Sequence, residues 1–188
     1  STVSSHGSDH EQELVRQSVE GSRAAFTALV EPHIGRLLTL ATRMLGSQPQ
    51  GEDAVQDGLA SVWVARHRLD PERPVGPYLT TVVLNKCRDR LRTRKAKRYF
   101  GLVSADDAAL VADESPDPEN RAAARQELSL LRAEIERLPV RLREALVLVS
   151  IDGRSQAEAA SLLGVSEKAI ETRVYRARQR LREKFEKF

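Results

Sequence analysis

The apolar residues of this chain recur three and four positions apart along most of its length, which is the spacing of one buried helix face. Between residues 23 and 45 that face carries a run of apolar side chains: Phe26, Leu29, Val30, Ile34, Leu37, Leu38, Ala41 and Leu45. Pro32 lies within the segment and predicts a local bend or interruption, and Gly46 predicts the end of the helix. The same spacing predicts further helices at 11–20, 48–68, 78–98, 121–137 and 141–151, and the small polar residues 1–10 predict a disordered terminus.

The composition favours an all-α fold. Hydrophobic residues make up 40% of the chain, enough for helical cores, whereas 4% aromatic residues argue against an all-β fold. The single cysteine, Cys87, excludes an internal disulfide, and its helical neighbours predict a packed thiol. No metal-ligand cluster, nucleophile–base pair or glycine-rich phosphate loop stands out, so we expect no catalytic residue, no metal and no cofactor. No apolar run is long enough for membrane insertion, which predicts a cytoplasmic protein.

Residues 99–120 separate two helical halves and differ from both in charge. They contain six acidic residues, no lysine or arginine, and the sequence SPDP at 115–118. An acidic segment with prolines predicts a flexible linker. The sequence therefore predicts two small helical domains, at 11–98 and 121–186, joined by this linker.

Residues 155–182 predict two helices joined by a tight turn. Ser155 and Glu158 have the spacing of a capping box, and Gly164 can end the first helix in the left-handed conformation. Ser166 is placed to cap the second helix, whose apolar positions are Ile170, Val174, Ala177 and Leu181. The pattern is that of a helix-turn-helix, which places its second helix in the major groove of DNA.

The second helix of this motif shows a basic face to solvent, with seven basic and three acidic residues between 166 and 184. Its polar residues off the apolar stripe can meet base edges near the start of the helix and phosphates further along. They are Lys168, Glu171, Thr172, Arg173, Arg176 and Arg180. The alternative is a solvated basic face on a helical hairpin with no role in DNA binding.

Two more charged surfaces precede the linker. Residues 86–98 contain eight basic residues and one acidic residue, Asp89, and this density favours a polyanion-binding surface over a merely solubilising face. An acidic patch, defined as Asp53, Gln56 and Asp57, lies near the start of an earlier helix. The residues alone explain this patch equally well as a complement to the helix dipole or as a partner surface.

Three stretches, in this order, resemble bacterial sigma factors. EDAVQDGLASVW (52–63) resembles the segment that binds the clamp helices of RNA polymerase, and PYLTTVVLNKCRDRLR (77–92) resembles the helix that reads the −10 promoter element. The third stretch, LPVRLREALVLVSIDGRSQAEAASLLGVSEKAIETRVYRARQRLR (138–182), is similar to the domain that reads the −35 element. Only a short linker stands between these parts, which resembles the extracytoplasmic-function (ECF) group, the smallest sigma factors.

The resemblance implies functions for the charged surfaces. The acidic patch would contact the β′ clamp helices of core RNA polymerase, and the loop 67–77 would accept a base flipped from the non-template strand. The −10 element would be held by Asn85, Lys86, Arg88 and Arg92. The −35 element would be contacted by Ser166, Lys168, Glu171, Thr172, Arg173 and Arg176. The C-terminal helices would lie on the β flap, and the acidic linker would run through the polymerase toward the RNA exit path.

The resemblance also implies regulation and a limit on promoter choice. An anti-sigma factor would hold the two domains packed together and shield their polymerase-binding faces. The family often has glycine and lysine where this chain has Lys168 and Glu171. A glutamate can accept a hydrogen bond from cytosine, so we expect a base preference that differs from the common pattern. The few aromatic residues in 78–98 imply weak promoter melting.

Two other functions remain open at this stage. A helix-turn-helix activator could bind DNA alone or as a dimer, although it would leave the acidic patch and the second basic helix unexplained. An inhibitor could use its basic helices to bind an acidic protein partner. We expect the sigma-factor function, with no chemistry of its own. A sigma factor needs core polymerase for specific DNA binding, which neither of the two rival functions requires.

Overall fold

The structure is a computed structural model that describes the backbone of residues 3–101 and 119–185 and the side chains of 8–101 and 125–185. Helices are the only regular structure within those ranges. They are α1 (Val3–Val19), α2 (Arg23–Leu45), α3 (Gln48–Val64), α4 (Val75–Tyr99), α5 (Glu119–Arg137), α6 (Val140–Leu146), α7 (Gln156–Leu163) and α8 (Glu167–Phe185). A 3-10 turn at Arg66–Arg68 follows α3, and a π-helical segment at Val147–Ile151 follows α6. The all-α prediction is confirmed, and none of the described helices could cross a membrane.

Helix α2 begins and ends where its sequence indicates. The Ser22 hydroxyl accepts a hydrogen bond from the Ala25 amide at 3.2 Å, and Gly46 adopts the left-handed conformation with φ of 70°. Of the two outcomes predicted at Pro32, the interruption is wrong, because α2 is continuous from Arg23 to Leu45, and the local bend stays a prediction. Buried residues on both sides of the proline, Leu29 and Leu37 among them, fix the helix against its neighbours, and this packing outweighs the loss of one backbone hydrogen bond.

Several other boundaries differ from the sequence prediction. Helix α3 ends at Val64 and not at residue 68, and α6 ends at Leu146 and not at residue 151, where 3-10 and π-helical segments replace the predicted α-helix. Helix α1 begins at Val3, so the prediction of disorder is wrong for residues 3–10. Helix α4 begins at Val75 and continues through Tyr99, which shortens the predicted loop and extends the basic helix past the predicted start of the linker. Most of that linker, residues 102–118, lies outside the described residues.

Close approach of helices α2, α3 and α4 forms the core of the N-terminal unit, which we define as α1–α4. Two α3 residues without side chains make this approach possible. A Cβ at Gly51 would lie 2.8 Å from the Thr42 backbone nitrogen in α2, and a Cβ at Gly58 would lie 3.1 Å from Val83 in α4. Fully buried side chains such as Leu40 then fill the space between the helices.

The C-terminal unit, defined as α5–α8, packs directly against the N-terminal unit. One cluster of buried apolar side chains runs from Leu40 and Leu84 in the first unit to Leu148 and Ile170 in the second. A smaller cluster around Leu138 lies between the C-terminal helices. The sequence predicted two helical units, and the structure shows them sharing a buried interface.

Candidate nucleic-acid and protein interfaces

The helix-turn-helix is formed by α7 and α8, and its local hydrogen bonds follow the sequence prediction. Both halves of the capping box are made: the Glu158 amide donates to the Ser155 hydroxyl at 3.1 Å, and the Ser155 amide donates to the Glu158 carboxylate at 2.8 Å. The bond from the Ser155 backbone lowers the pKa of Glu158. Gly164 has φ of 65°, and the Ser166 hydroxyl accepts from the Ala169 amide at 3.2 Å. The predicted motif is confirmed as a fold element.

A shallow groove of about 410 Å³ lies along the exposed side of α8. Three of the predicted −35 residues, Lys168, Glu171 and Thr172, line it together. The Lys168 ammonium and the Glu171 carboxylate are 2.8 Å apart and largely exposed, so this pair restricts the two side chains with little gain in stability. Arg173 and Arg176 lie outside the groove, and Ser166 is occupied as a helix cap.

The same groove contains residues that the sequence analysis did not single out. Tyr175 is 61% exposed, and its hydroxyl accepts a hydrogen bond from Gln179 at 2.7 Å. Further lining comes from Gln156, Arg178 and Arg182, and from Val174, one of the predicted apolar positions. Helical spacing could have found Tyr175 and Gln179 on α8, because Lys168, Thr172, Tyr175 and Gln179 follow one another three and four residues apart.

The predicted −10 residues lie on α4, and one of them is already bound within the protein. The Arg88 guanidinium donates to both carboxylate oxygens of Glu144 in α6, at 2.5 and 3.0 Å, and also to the Asn85 side chain at 3.0 Å. Glu144 is 2% exposed. Its hydrogen bond raises the pKa of Arg88. Arg92 is exposed and pairs with Asp89 on the same helix, and Asn85 is exposed.

The acidic patch is exposed on α3 and is partly neutralised by the neighbouring helix. The Arg90 guanidinium of α4 lies 2.5 Å from the Asp57 carboxylate and 4.0 Å from that of Asp53. Gln56 is exposed beside them. The helix that carries the −10 candidates therefore also holds the acidic patch in place.

A buried arginine of the C-terminal unit binds the end of α2. Arg143 donates to the Met44 carbonyl at 2.7 Å, and also to the Glu136 and Leu138 carbonyls of its own unit. The Met44 carbonyl lies at the negative end of the α2 dipole, where a cation is favourable. Burial lowers the pKa of Arg143, and the Glu136 carboxylate opposes that effect. Burial also raises the pKa of Glu136, which lies against Gly46.

A second ionic contact joins the units beside the loop that was expected to accept a flipped base. Arg36 donates to the Asp152 carboxylate at 2.6 Å and to its backbone carbonyl at 2.7 Å, and Arg154 donates to the same carboxylate at 2.9 Å. A cavity of about 220 Å³ lies next to this contact. Its lining comes from both units: Glu11, His33, Arg36, Leu37, Pro74, Gly76, Pro77, Thr80 and Arg154. In this packed arrangement a side chain of the C-terminal unit therefore closes part of the loop's surface.

Trp63 lies at the edge of the N-terminal unit and is half-buried. Its ring packs on Phe26 with 5.2 Å between centroids, and the guanidinium groups of Arg66 and Arg23 lie 4.6 and 5.6 Å from the ring centre. Contacts of this kind stabilise the end of α3. Among the described residues no group of histidine, cysteine, aspartate or glutamate side chains is placed to hold a metal ion.

Two protein families match this chain, one in each unit. The family described as Sigma-70 region 2 matches residues 29–97, which contain the acidic patch and the −10 candidates. The family described as Sigma-70, region 4 matches residues 128–181, which contain the helix-turn-helix.

Several sigma factors are similar over nearly the whole chain. RNA polymerase sigma factor CnrH of Cupriavidus metallidurans is 39% identical over 92% of this chain and 93% of its own length. ECF RNA polymerase sigma factor SigM of Mycobacterium tuberculosis is 34% identical over 93% of this chain and 86% of its own length. The structure of CnrH in complex with the cytosolic domain of CnrY has a TM-score of 0.66 at 33% identity, covering 94% of this chain and 97% of that one. The sigma factor RpoE of Bartonella quintana, solved with the anti-sigma factor NepR, shares the fold with a TM-score of 0.60 at 24% identity, covering 84% of this chain and 94% of that one.

Proposed function

This chain belongs to the ECF group of RNA polymerase sigma factors, and from that membership we propose which surfaces it uses to start transcription at its promoters. Its function is to bind core RNA polymerase and promoter DNA. We propose 11–98 and 121–186 as the two working units, with no chemistry of their own and with the cytoplasm as their place of action.

The acidic patch is the proposed contact with the β′ clamp helices of polymerase. Asp53, Gln56 and Asp57 are exposed on one side of α3, and two carboxylates on a rigid helix suit a basic partner surface. Arg90 holds the Asp57 carboxylate at 2.5 Å and so fixes the patch before the partner arrives. Preorganisation of this kind reduces the entropy lost on binding.

The groove on α8 is the proposed contact with the −35 element, and the exposed side of α4 is the proposed contact with the −10 element. The observation that carries this assignment is the fully capped helix-turn-helix, whose second helix leaves Lys168, Glu171 and Thr172 open along one groove. Lysine and threonine can donate to base acceptors in the major groove, and glutamate can accept from cytosine. Docking on the β flap would set the distance between the two DNA contacts.

An anti-sigma partner is the proposed regulator. In this structure the C-terminal unit holds Arg88 and closes part of the loop surface, so the −10 candidates are not all free. A protein that binds both units would favour this packed arrangement over the separated one. The complex of CnrH, a relative of this chain, with the cytosolic domain of CnrY supports a partner of this kind.

Run-off transcription with reconstituted core polymerase tests the proposal. The double variant Asp53→Lys, Asp57→Lys reverses the charge of the acidic patch, and we expect it to lose both core binding and promoter-directed RNA synthesis. Glu31→Lys is the control for an exposed charge reversal, because Glu31 is exposed on α2 and lies outside the stretch 52–63 that resembles the clamp-binding segment. Full activity of the double variant would refute the assignment of the polymerase contact.

A helix-turn-helix activator is the remaining rival, and a gel-shift experiment separates it from the sigma factor. Two weak DNA contacts that are joined through polymerase bind poorly without it. We therefore expect specific binding of a native promoter fragment only when core polymerase is present. Tight specific binding by the free chain would favour the activator.

A further inference from the structure

The proposed −10 surface continues along α4 beyond the residues that sequence resemblance assigned to it. Asn85, Arg88, Arg92, Lys95 and Tyr99 are spaced alternately three and four residues apart, so they form one stripe along the helix. Fourteen residues at 1.5 Å each make this stripe about 21 Å long. That length corresponds to roughly six phosphates of one strand in B-form DNA.

The stripe ends in two exposed aromatic rings. Tyr99 is 87% exposed and Phe100 is 72% exposed, and their rings meet edge to face with 5.6 Å between centroids. The nearest upstream residues, 95–98, are exposed as well, so this end of α4 projects from the body of the protein. Two neighbouring large rings left in solvent at such a position favour a binding role over a packing role.

The charge around these rings is positive. Residues 90–100 contain no acidic side chain. Arg94 is occupied by the Leu45 carbonyl, but Lys95 and Lys97 have no ion-pair partner among the described residues. Exposed cations interleaved with aromatic rings are the combination by which proteins bind single-stranded nucleic acid.

We propose that Tyr99 and Phe100 form a stacking platform for unpaired bases of the melted promoter strand, and that Lys95 and Lys97 hold its phosphates. This inference rests on the proposed function of the chain as a sigma factor that contacts the −10 element. Tyr99 and Phe100 would also provide aromatic side chains, which are few in the earlier part of α4. Duplex DNA does not fit the platform, because the faces of its bases are already covered by neighbouring base pairs.

The continuity of the stripe and its charge favour nucleic acid over a protein as the occupant. Arg92, the last of the proposed −10 residues, is followed on the same stripe by Lys95, so one strand following the helix reaches the rings without changing direction. A protein partner that used the rings only as apolar surface would have to leave Lys95 and Lys97 beside it, and lysine is depleted in protein interfaces.

The binding of fluorescein-labelled oligothymidylate to the full chain, measured by anisotropy, tests this inference without a promoter or a polymerase. Stacking tolerates any base and is worth about 5- to 150-fold in affinity per base, so Tyr99→Ala, Phe100→Ala should bind at least about fivefold more weakly. The double variant Tyr99→Phe, Phe100→Tyr should bind like the original chain. Phe185→Ala is the control for loss of an exposed ring elsewhere, because Phe185 is 37% exposed and does not line the α8 groove.

Salt dependence separates the two kinds of contact. Removing both lysines (Lys95→Ala, Lys97→Ala) should make the slope of log affinity against log salt shallower by roughly 0.7 for each cation, whereas removing the rings should leave that slope unchanged. A duplex of the same length should show no loss when the rings are removed. All variants should keep the far-ultraviolet circular dichroism of the original chain, because the rings are exposed.

Leucine variants distinguish stacking from plain hydrophobic contact. If Tyr99→Leu, Phe100→Leu binds oligothymidylate as well as the original chain, aromatic stacking is refuted. Unchanged affinity of the alanine variant would refute the platform altogether. Weaker core polymerase binding by the alanine variant, with unchanged oligothymidylate affinity, would assign the rings to a protein partner instead. Failure of the sigma-factor function itself would be seen separately, as absent run-off transcription by the unmodified chain.

Discussion

Replacing Glu144 by glutamine should loosen the packing of the C-terminal unit on the N-terminal unit. Glu144 is buried in α6, and its two carboxylate oxygens accept hydrogen bonds from Arg88 in α4 at 2.5 and 3.0 Å. Glutamine has nearly the same shape but keeps only one acceptor oxygen and no charge. The variant therefore removes one charge-assisted bond and weakens the other without opening a cavity.

The expected magnitude follows from these contacts. A hydrogen bond to a charged group contributes about 1.5–3 kcal/mol net. The Arg88 side chain is 37% exposed, and solvent screening places the loss near the lower figure, about 1.5 kcal/mol. Because 1.36 kcal/mol corresponds to a factor of ten, the equilibrium toward separated units should shift by about tenfold.

The single cysteine of the chain provides the assay. Cys87 is fully buried on α4, one residue before Arg88, and burial raises its pKa to about 12, with a further contribution from the Glu144 charge. A thiol reagent reaches this side chain only after the surrounding structure opens, so its labelling rate reports the opening equilibrium. We expect Glu144→Gln to increase the rate about tenfold, in line with the loss of one charge-assisted bond.

A control variant and a clear negative outcome complete this test. Glu171→Gln removes an exposed glutamate whose partner is Lys168 on the same helix, and it should leave the labelling rate unchanged. If Glu144→Gln also leaves the rate unchanged, the bond to Arg88 does not hold the units together. The proposed competition between that bond and the −10 strand would then be refuted.

Three further predictions concern stability and base preference. Burial raises the pKa of Cys87 from 9.0 to about 12, so the thiol ionises first in the unfolded chain. Between about pH 9 and about pH 12 the free energy of unfolding should therefore fall by up to about 1.4 kcal/mol per pH unit. Urea titrations should show that Cys87→Ala removes this part of the pH dependence. Gly46→Ala should destabilise the protein more than Gly153→Ala. Both glycines have positive φ, where an alanine costs about 1–2 kcal/mol, but only an alanine at 46 would also press against the Glu136 carboxylate. Equal losses of stability in thermal unfolding would contradict the contact between Gly46 and Glu136. Glu171→Ala should reduce discrimination at one −35 base pair by about 1–3 kcal/mol in binding assays with holoenzyme, and a uniform loss over all bases would show that Glu171 reads no base.

The sequence predicted the helix-turn-helix well because its signals act within a few residues. Ser155 and Glu158 satisfy each other's backbone amides, and Gly164 ends its helix through its own φ angle. Such contacts depend on residue type and spacing and very little on the rest of the fold. The resemblance to ECF sigma factors rested on the same local runs and is confirmed by the matches over both units.

The predictions that were wrong concern effects of packing and helix extension. Residues before and after Pro32 in α2 are buried, and their packing stabilises the helix through the proline. The helix propensity of a single residue does not include the contribution of packing. Residues 3–10 have no apolar face of their own, yet they continue the helix that carries Val15 into the core. The residue-by-residue assignments of polymerase and promoter contacts stay predictions, to be decided by the variants described above.

The density of basic residues on α4 illustrates what periodicity leaves undecided. Arg88, Arg90, Arg92 and Arg94 alternate in the sequence, but a helix turns about 200° over two residues, so consecutive members point to different sides. Their partners are correspondingly different: Glu144 of the other unit, Asp57 of α3, Asp89 of the same helix and the Leu45 carbonyl of α2. Only Arg92 among the four remains on an open surface in the packed arrangement, because its own side chain is 79% exposed. A charge count treats all four as one polyanion-binding surface, whereas three of them stabilise contacts between helices. DNA that binds α4 therefore has to displace the Glu144 carboxylate before it can contact Arg88.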